Sequence, residues 1–419
     1  MSQSTTLPSP SHLHDDQVIA LLRSGAHAAL LSAYFGANEY RELCHLAKLA
    51  ATRRNRRGPL AFILPGIMGS RLARMRRRTF DLLWLHPTAI ANGGILQLAL
   101  PGPNAVRALG VMLPGYLKLR LTLEIAGFRV VFHPFDWRGD LERLARAFMQ
   151  TIERSGSRKV LVVAHSMGGL VARAALAHEG RARIARLIQL GAPNGGSFAP
   201  MQALRAVYPT VRKIAALDQG HTPEELARRV FLTLPGLYQM LPSRQDGERA
   251  DFFDASSWPA DDLKPGAQLL ARARRVRARL PAADERCCVI AGTNQPTIVS
   301  ATLEDDEFRY EIRPEGDGTV PLSRAQWDGA RTWYAEENHG ALTLNNTVLA
   351  AVADLLKGGD TERLGVHAPQ GAATQLRSVT DSQLRLAAAR KVQWDSLSLE
   401  SRRRILEPVI SPEFATPDS

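Results

Sequence analysis

The segment Val160-Leu161-Val162-Val163-Ala164-His165-Ser166-Met167-Gly168-Gly169-Leu170-Val171 constrains this chain more than any other. An apolar, β-branched run enters a serine and a helix-forming run leaves it, with no residues to spare for a loop. A turn that tight requires small residues two before and two after the serine, because a larger side chain would strike neighbouring backbone. Ala164 and Gly168 stand there; glycine is usual at the first position, and a methyl group is the smallest departure from it. Ser166 is therefore a candidate nucleophile. A serine hydroxyl is weak at neutral pH, so it needs a base to take its proton and a third group to hold that base in one tautomer.

Both partners are expected downstream, in the order serine, acid, histidine. Gly316-Asp317-Gly318-Thr319-Val320-Pro321 offers Asp317 in a glycine-flanked loop, and Glu337-Asn338-His339-Gly340 offers His339 after Thr332-Trp333-Tyr334. Among competing acids, Asp305 and Asp306 lie in an acidic, hairpin-like stretch and Glu315 lies beside the chosen loop. Of the 11 histidines, only His339 and His367 follow the acid, and His367 sits in a polar tail. The oxyanion of a tetrahedral intermediate needs preorganised N–H donors. Met167 N–H, at the start of the helix after the serine, is one candidate, and Ile67 N–H in Pro65-Gly66-Ile67-Met68-Gly69 is the other.

Apolar runs recur at 60–64, 128–132, 160–164, 187–190 and 287–291, several separated by helical patterns such as 141–152 and 170–177. Continuous apolar runs mark strands buried on both faces, and their alternation with helices marks a mostly parallel, doubly wound α/β sheet. One catalytic domain is expected over 58–357. The stretches 68–120 and 196–285 break the alternation and are expected as cap or lid insertions above the sheet. Residues 1–57 read as a helical extension, periodic over 15–50 with breaks at Gly25 and Gly36, followed by a basic linker. Residues 358–419 read as a polar tail with short helical patterns near 381–391 and 397–407.

Composition narrows the partners. With 419 residues, 45% apolar and 22% charged, the chain has the profile of a globular protein rather than a disordered one. Its three cysteines, Cys44, Cys287 and Cys288, do not make a disulfide framework, and the adjacent pair belongs to a buried strand, where neighbours point to opposite faces. No charged-then-apolar leader opens the chain and no run of about 18 apolar residues occurs, so a cytoplasmic protein is the default expectation. The formal charge of +12 gathers at Arg53, Arg54, Arg56 and Arg57, at Arg74 with Arg76 to Arg78, and at Arg272, Arg274, Arg275, Arg277 and Arg279. Solvated helix faces are the plain reading of these clusters, and peripheral contact with an anionic membrane surface is the functional one. No nucleic-acid motif surrounds them, so no nucleic acid is expected. No metal-ligand spacing, phosphate loop or dinucleotide fingerprint is present, so no cofactor and no metal is implied.

Further motifs carry a family resemblance. The run 64–72, Leu-Pro-Gly-Ile-Met-Gly-Ser-Arg-Leu, together with Phe135-Asp136-Trp137-Arg138, Gly191-Ala192-Pro193-Asn194-Gly195-Gly196-Ser197 and the Gly316 to Leu322 loop, resembles the lecithin:cholesterol acyltransferase-like family of α/β-hydrolases over residues 58–355. Glu315 stands where the family has Asp, and Phe135 where it has Tyr. The resemblance implies an α/β-hydrolase fold with helical cap insertions, and acyl transfer from a lipid-like ester to water or to an alcohol. Asp136 and Arg138 read as an anchoring ion pair beside a packed indole rather than as substrate contacts. A second class of function stays open, a membrane-associated binding protein that keeps the hydrolase scaffold and works through its basic surface. The termini outside the resemblance are also compatible with a lipase delivered without a signal peptide.

Overall fold

The computed structural model describes residues 13–369 apart from 54, 56, 78, 103–105 and 246–249, together with 377–386, 391, 392 and 397. The apolar runs become strands β1 (Leu60–Leu64), β5 (Arg129–Phe132), β6 (Val160–His165), β7 (Ile184–Leu190) and β8 (Cys287–Gly292), joined by β11 (Arg331–Ala335). They form one six-stranded sheet in the order β11-β8-β7-β6-β1-β5, with parallel neighbours throughout. Leu60, Phe62 and Leu64 face one core layer, and Ala61 and Ile63 face the other. Period-two alternation thus separates two apolar layers, as a doubly wound sheet requires. Cys287 and Cys288 likewise fall in opposite layers.

On the first face lie α6 (Leu141–Arg154) and α7 (Met167–Ala175). The Asp140 side chain starts α6 by accepting from the Glu142 and Arg143 amides, and Leu141, Leu144, Ala145, Phe148, Met149 and Ile152 form its buried stripe. On the second face lie α5 (Leu113–Ile125) and α14 (Asn346–Gly358), and outside them α1 (Asp15–Ser24), α2 (Ala28–Phe35) and α3 (Ala37–Arg53). Gly25 and Gly36 do separate these three helices, both at positive φ. Far from trailing as an extension, they share one apolar cluster with α5, α14 and Ile63, through Val18, Leu22, Leu31, Leu43 and Ala47. Asp15 and Glu42 pair with Arg71 and Lys118 at 2.9 and 2.8 Å.

The 68–120 stretch forms an antiparallel sheet, β3-β2-β4, from β2 (Ser70–Met75), β3 (Phe80–Trp84) and β4 (Val106–Val111), with the short α4 (Pro87–Ala91) and then α5. Trp137 is buried against Trp84 at 5.3 Å and donates to Ser70 O, while Arg138 grips Asp136 at 2.7 Å. This is the anchoring arrangement expected of Asp-Trp-Arg. Residues 196–285 supply α8 (Ala199–Leu204), α9 (Pro209–Leu217), α10 (Pro223–Arg229), α11 (Pro235–Tyr238) and α12 (Ala267–Ala278). Proline in the first turn presets φ for α8, α9, α10 and α11 without losing a helical hydrogen bond.

A third sheet pairs β9 (Thr297–Glu304) with β10 (Glu307–Arg313) across a turn at Asp305 and Asp306, both at positive φ. The polar stretch after residue 357 adds β12 (Arg377–Thr380) to β10 and then turns into α15 (Asp381–Leu386). Sequence reading did not foresee that strand. It is held by long-range charge: Arg205, buried in the 196–285 segment, pairs with Asp381 at 2.9 Å and with Asp261 at 2.7 Å, and Tyr310 donates to Asp381 at 2.8 Å. A short helix, α13 (Leu322–Ala325), follows the Asp317 loop. The helical pattern near 397–407 lies outside the described residues except for position 397.

Many clustered arginines are engaged within the protein. Arg74 and Arg76 share Asp81, Arg272 and Arg279 reach Glu142, Arg274 reaches Asp251, and Arg277 donates to the Pro193 and Asn194 carbonyls. Arg54, Arg56 and Arg78 lie outside the described residues. Among the described residues no helix is long and apolar enough to cross a membrane.

Candidate active site

Ser166 sits between β6 and α7 at φ 53° and ψ −125°, a backbone conformation that is costly for any residue with a Cβ. The ladder bond from Ser166 N–H to Leu190 O, 2.9 Å, and the Gly169 N–H bond back to Ser166 O, 2.9 Å, hold it there. A Cβ on Gly168 would lie 2.4 Å from Pro65 O and 2.7 Å from Leu64 O, so glycine is obligatory where the helix crosses β1. Ala164 is fully buried in β6.

The Pro65–Gly69 turn lies directly over the serine: a Cβ on Gly66 would be 3.0 Å from Ser166 Cβ and 3.4 Å from Ser166 Oγ. Met68 takes φ 61° and its carbonyl accepts from Trp84 Nε1 at 2.7 Å, which pins the turn to β3. Among the described residues, neither the Ile67 nor the Met167 amide N–H has an acceptor within the protein. Unpaired donors beside a helix N-terminus are suited to a developing anion.

Asp317 and His339 meet from loops after β10 and β11. His339 Nδ1 contacts Asp317 Oδ2 at 2.7 Å, and His339 N–H donates to the Asp317 carbonyl at 2.8 Å. The other carboxylate oxygen, Oδ1, accepts from Thr319 N–H at 2.9 Å and Val320 N–H at 2.7 Å. Asp317 is 1% and His339 6% exposed. An ionised carboxylate only accepts, so His339 carries its proton on Nδ1 and leaves Nε2 as a base. Gly191, φ 55°, makes room for the pair: a Cβ there would lie 2.9 Å from Asp317 Oδ2 and 3.1 Å from His339 Nδ1.

Ser166, His339 and Ile67 line one cavity of about 90 Å³, walled largely by Met68, Met112, Pro200, Ala203, Leu237, Met240 and Val320. Ser166 and His339 line this cavity together, and among the described residues no hydrogen bond joins Ser166 Oγ to the His339 ring. The competing residues sit elsewhere. Asp305, Asp306 and His367 are exposed, and Glu315 is exposed at 3.6 Å from Arg313.

Sequence reading did not single out Tyr116 or His165, which line the same cavity. Tyr116 Oη and His165 Nδ1 are 2.9 Å apart, Gly66 N–H donates to Tyr116 Oη at 2.8 Å, and His165 Nε2 lies 3.0 Å from the His339 carbonyl. Burial, and then the charge of His339, push the His165 pKa down to about 3. His165 was visible inside the motif, but its partners come from segments 49 and 174 residues away.

The six-stranded parallel sheet with helices on both faces and a strand-to-helix turn at Ser166 is an α/β-hydrolase fold. Residues 124–267, about a third of the chain, match the family model described as lecithin:cholesterol acyltransferase. No curated protein matches the chain. Among solved structures it is similar to the mature Bacillus licheniformis lipase BlEst2, at 14% identity and TM-score 0.39 over 72% of this chain and 94% of that one. It is also similar to the Tle4–Tli4 complex, at 13% identity and TM-score 0.47 over 72% and 98%. Aspergillus fumigatus lipase B aligns at 13% identity and TM-score 0.35 over 86% and 62%.

Proposed function

We propose that this protein is a serine acyl-ester hydrolase or O-acyltransferase acting on lipid-like esters through an acyl-enzyme on Ser166. The observation that carries the reading is the shared cavity: the elbow serine lines it together with the histidine whose Nδ1 lies 2.7 Å from a buried carboxylate. Ser166 Oγ attacks the ester carbonyl carbon as His339 Nε2 takes its proton, and Asp317 stabilises the imidazolium without taking the proton itself. The carbonyl oxygen becomes an anion held by the Ile67 and Met167 amides. Collapse breaks the C–O bond, His339 protonates the departing alcohol, and the acyl group stays on Ser166. Water or a second alcohol then repeats the sequence in reverse and frees the serine.

The apolar walls favour an acyl chain over a charged substrate. The test is fluorophosphonate labelling of wild type and Ser166→Ala, coupled to a chain-length series of p-nitrophenyl esters and fatty-acid release from phospholipid vesicles. Labelling confined to wild type, with an optimum beyond acetyl, supports the reading. Absence of labelling in both proteins moves the assignment to a binding protein on a hydrolase scaffold.

A further inference from the structure

The buried polar chain through Tyr116 and His165 touches three parts of the site at once, and its direction is determined. A backbone carbonyl only accepts, so at the 3.0 Å contact His165 Nε2 carries the proton and donates to His339 O. His165 Nδ1 is then an acceptor, and at 2.9 Å it accepts a hydrogen bond from the Tyr116 hydroxyl. With its proton committed, Tyr116 Oη presents lone pairs, and Gly66 N–H fills one at 2.8 Å. The sequence of donors runs from the turn over the serine, through Tyr116 and His165, to the backbone of the histidine loop. Every member is buried: Tyr116 is 5% and His165 7% exposed. Each bond therefore lies in a low-dielectric site, where an unmade one is costly.

We propose that Tyr116 and His165 are positioning residues of one relay that holds the Ile67 amide and the His339 ring in register with Ser166; this rests on the acyl-transfer reading of the site. The Gly66 N–H is one residue from the Ile67 N–H, so anchoring the first fixes the direction of the second. The His339 carbonyl belongs to the residue that carries the base, so anchoring it limits how far that ring can swing from Asp317. The His165 ring lies tilted by 44° against that of His339 with centroids 4.8 Å apart, and a neutral ring there neither repels the imidazolium nor competes for its proton. Burial lowers the His165 pKa and so favours that neutral form. Three segments distant in sequence are thereby set by one chain of hydrogen bonds.

The experiment measures kcat and KM on a medium-chain p-nitrophenyl ester, and the second-order rate of fluorophosphonate labelling. The proteins are wild type, Tyr116→Phe, His165→Phe, the double variant and His165→Gln. Both single phenylalanine variants are expected to lose about tenfold to a hundredfold in kcat and in labelling rate, with KM within about twofold, because the defect concerns the anionic transition state. The double variant is expected to lose no more than the worse single one, as members of one relay do. His165→Gln carries a donor and an acceptor on one amide and should recover part of the loss. Losses that multiply in the double variant, that fall on KM, or that stay under twofold overturn the relay while leaving the hydrolase reading intact. Failure of the wild type itself to label overturns both.

Discussion

Replacing Gly191 by alanine tests the acid–base pair without touching either member. The added Cβ would lie 2.9 Å from Asp317 Oδ2 and from Leu342 Cδ1, and 3.1 Å from His339 Nδ1. Ordinary carbon contacts are about 3.5–4.0 Å, so the carboxylate oxygen must give by roughly 0.6 Å or more. Asp317 cannot recede freely, because its other oxygen is held by the Thr319 and Val320 amides at 2.9 and 2.7 Å. The 2.7 Å contact to His339 therefore opens. Misplacement of this order costs on the order of 10²-fold in rate, within a ceiling of about 10⁴-fold for a histidine in the wrong tautomer. The positive φ of 55° adds a backbone cost of about 1–2 kcal/mol. Gly156→Ala separates the two effects, since Gly156 also has a positive φ, 68°, but nothing within 4 Å of the added Cβ. Ester hydrolysis and urea denaturation of both variants should show the backbone cost in each, a further steric loss of stability in Gly191→Ala, and a fall in kcat in Gly191→Ala alone. A Gly191→Ala enzyme within about threefold of wild type would mean that the Asp317–His339 contact does not govern the rate.

Asp317→Asn should fold normally yet lose about 10⁴-fold in kcat, because an amide can donate to Nδ1 and stabilise the unproductive tautomer; a loss under tenfold would remove Asp317 from the mechanism. Burial lowers the His133 pKa to about 4, below its unfolded value of about 6.5, so its contribution is complete above pH 6.5 and fades as pH falls toward 4. That window is worth ~3 kcal/mol, and urea melts at pH 7 and 4.5 should show a smaller acid-induced loss in His133→Phe than in wild type; equal losses would refute the assignment. Asp381→Ala strands Arg205, 1% exposed, with Asp261 alone and leaves the Tyr310 hydroxyl without its acceptor. A cost of about 3–5 kcal/mol is expected in denaturant melts, and one below about 1 kcal/mol would show that the C-terminal strand is not latched there.

The catalytic scaffold was legible wherever local pattern and burial agree. Leu60–Leu64 and Val160–His165 read as buried strands because central parallel strands are apolar on both faces, and they are so here. The Asp305–Asp306 turn was visible as a hairpin because acidic residues tolerate the left-handed conformation that both adopt. β12 was not legible: Arg377–Thr380 has no strand pattern of its own, and pairing with β10 and the Arg205–Asp381 contact determine its state. The three N-terminal helices were recognised as helices, yet nothing in their periodicity could show that α5 and α14 would cover the stripe they present.

The same division runs through the site. Sequence by itself singled out Ser166 as a candidate, because a strand-to-helix turn with Ala164 and Gly168 is written in consecutive residues, and it singled out Asp317 and His339 as its candidate partners through glycine-bearing loops in the expected order. Tertiary structure alone decided that Asp317 and His339 lie 2.7 Å apart, that Gly191 leaves the space for them, and that Tyr116, His165 and the His339 backbone form one chain of hydrogen bonds. Hydrophobic period and turn chemistry act over a few neighbours and leave a mark in the local sequence. A hydrogen bond between residues 174 positions apart depends on where two loops are delivered by the sheet, and no local pattern records that.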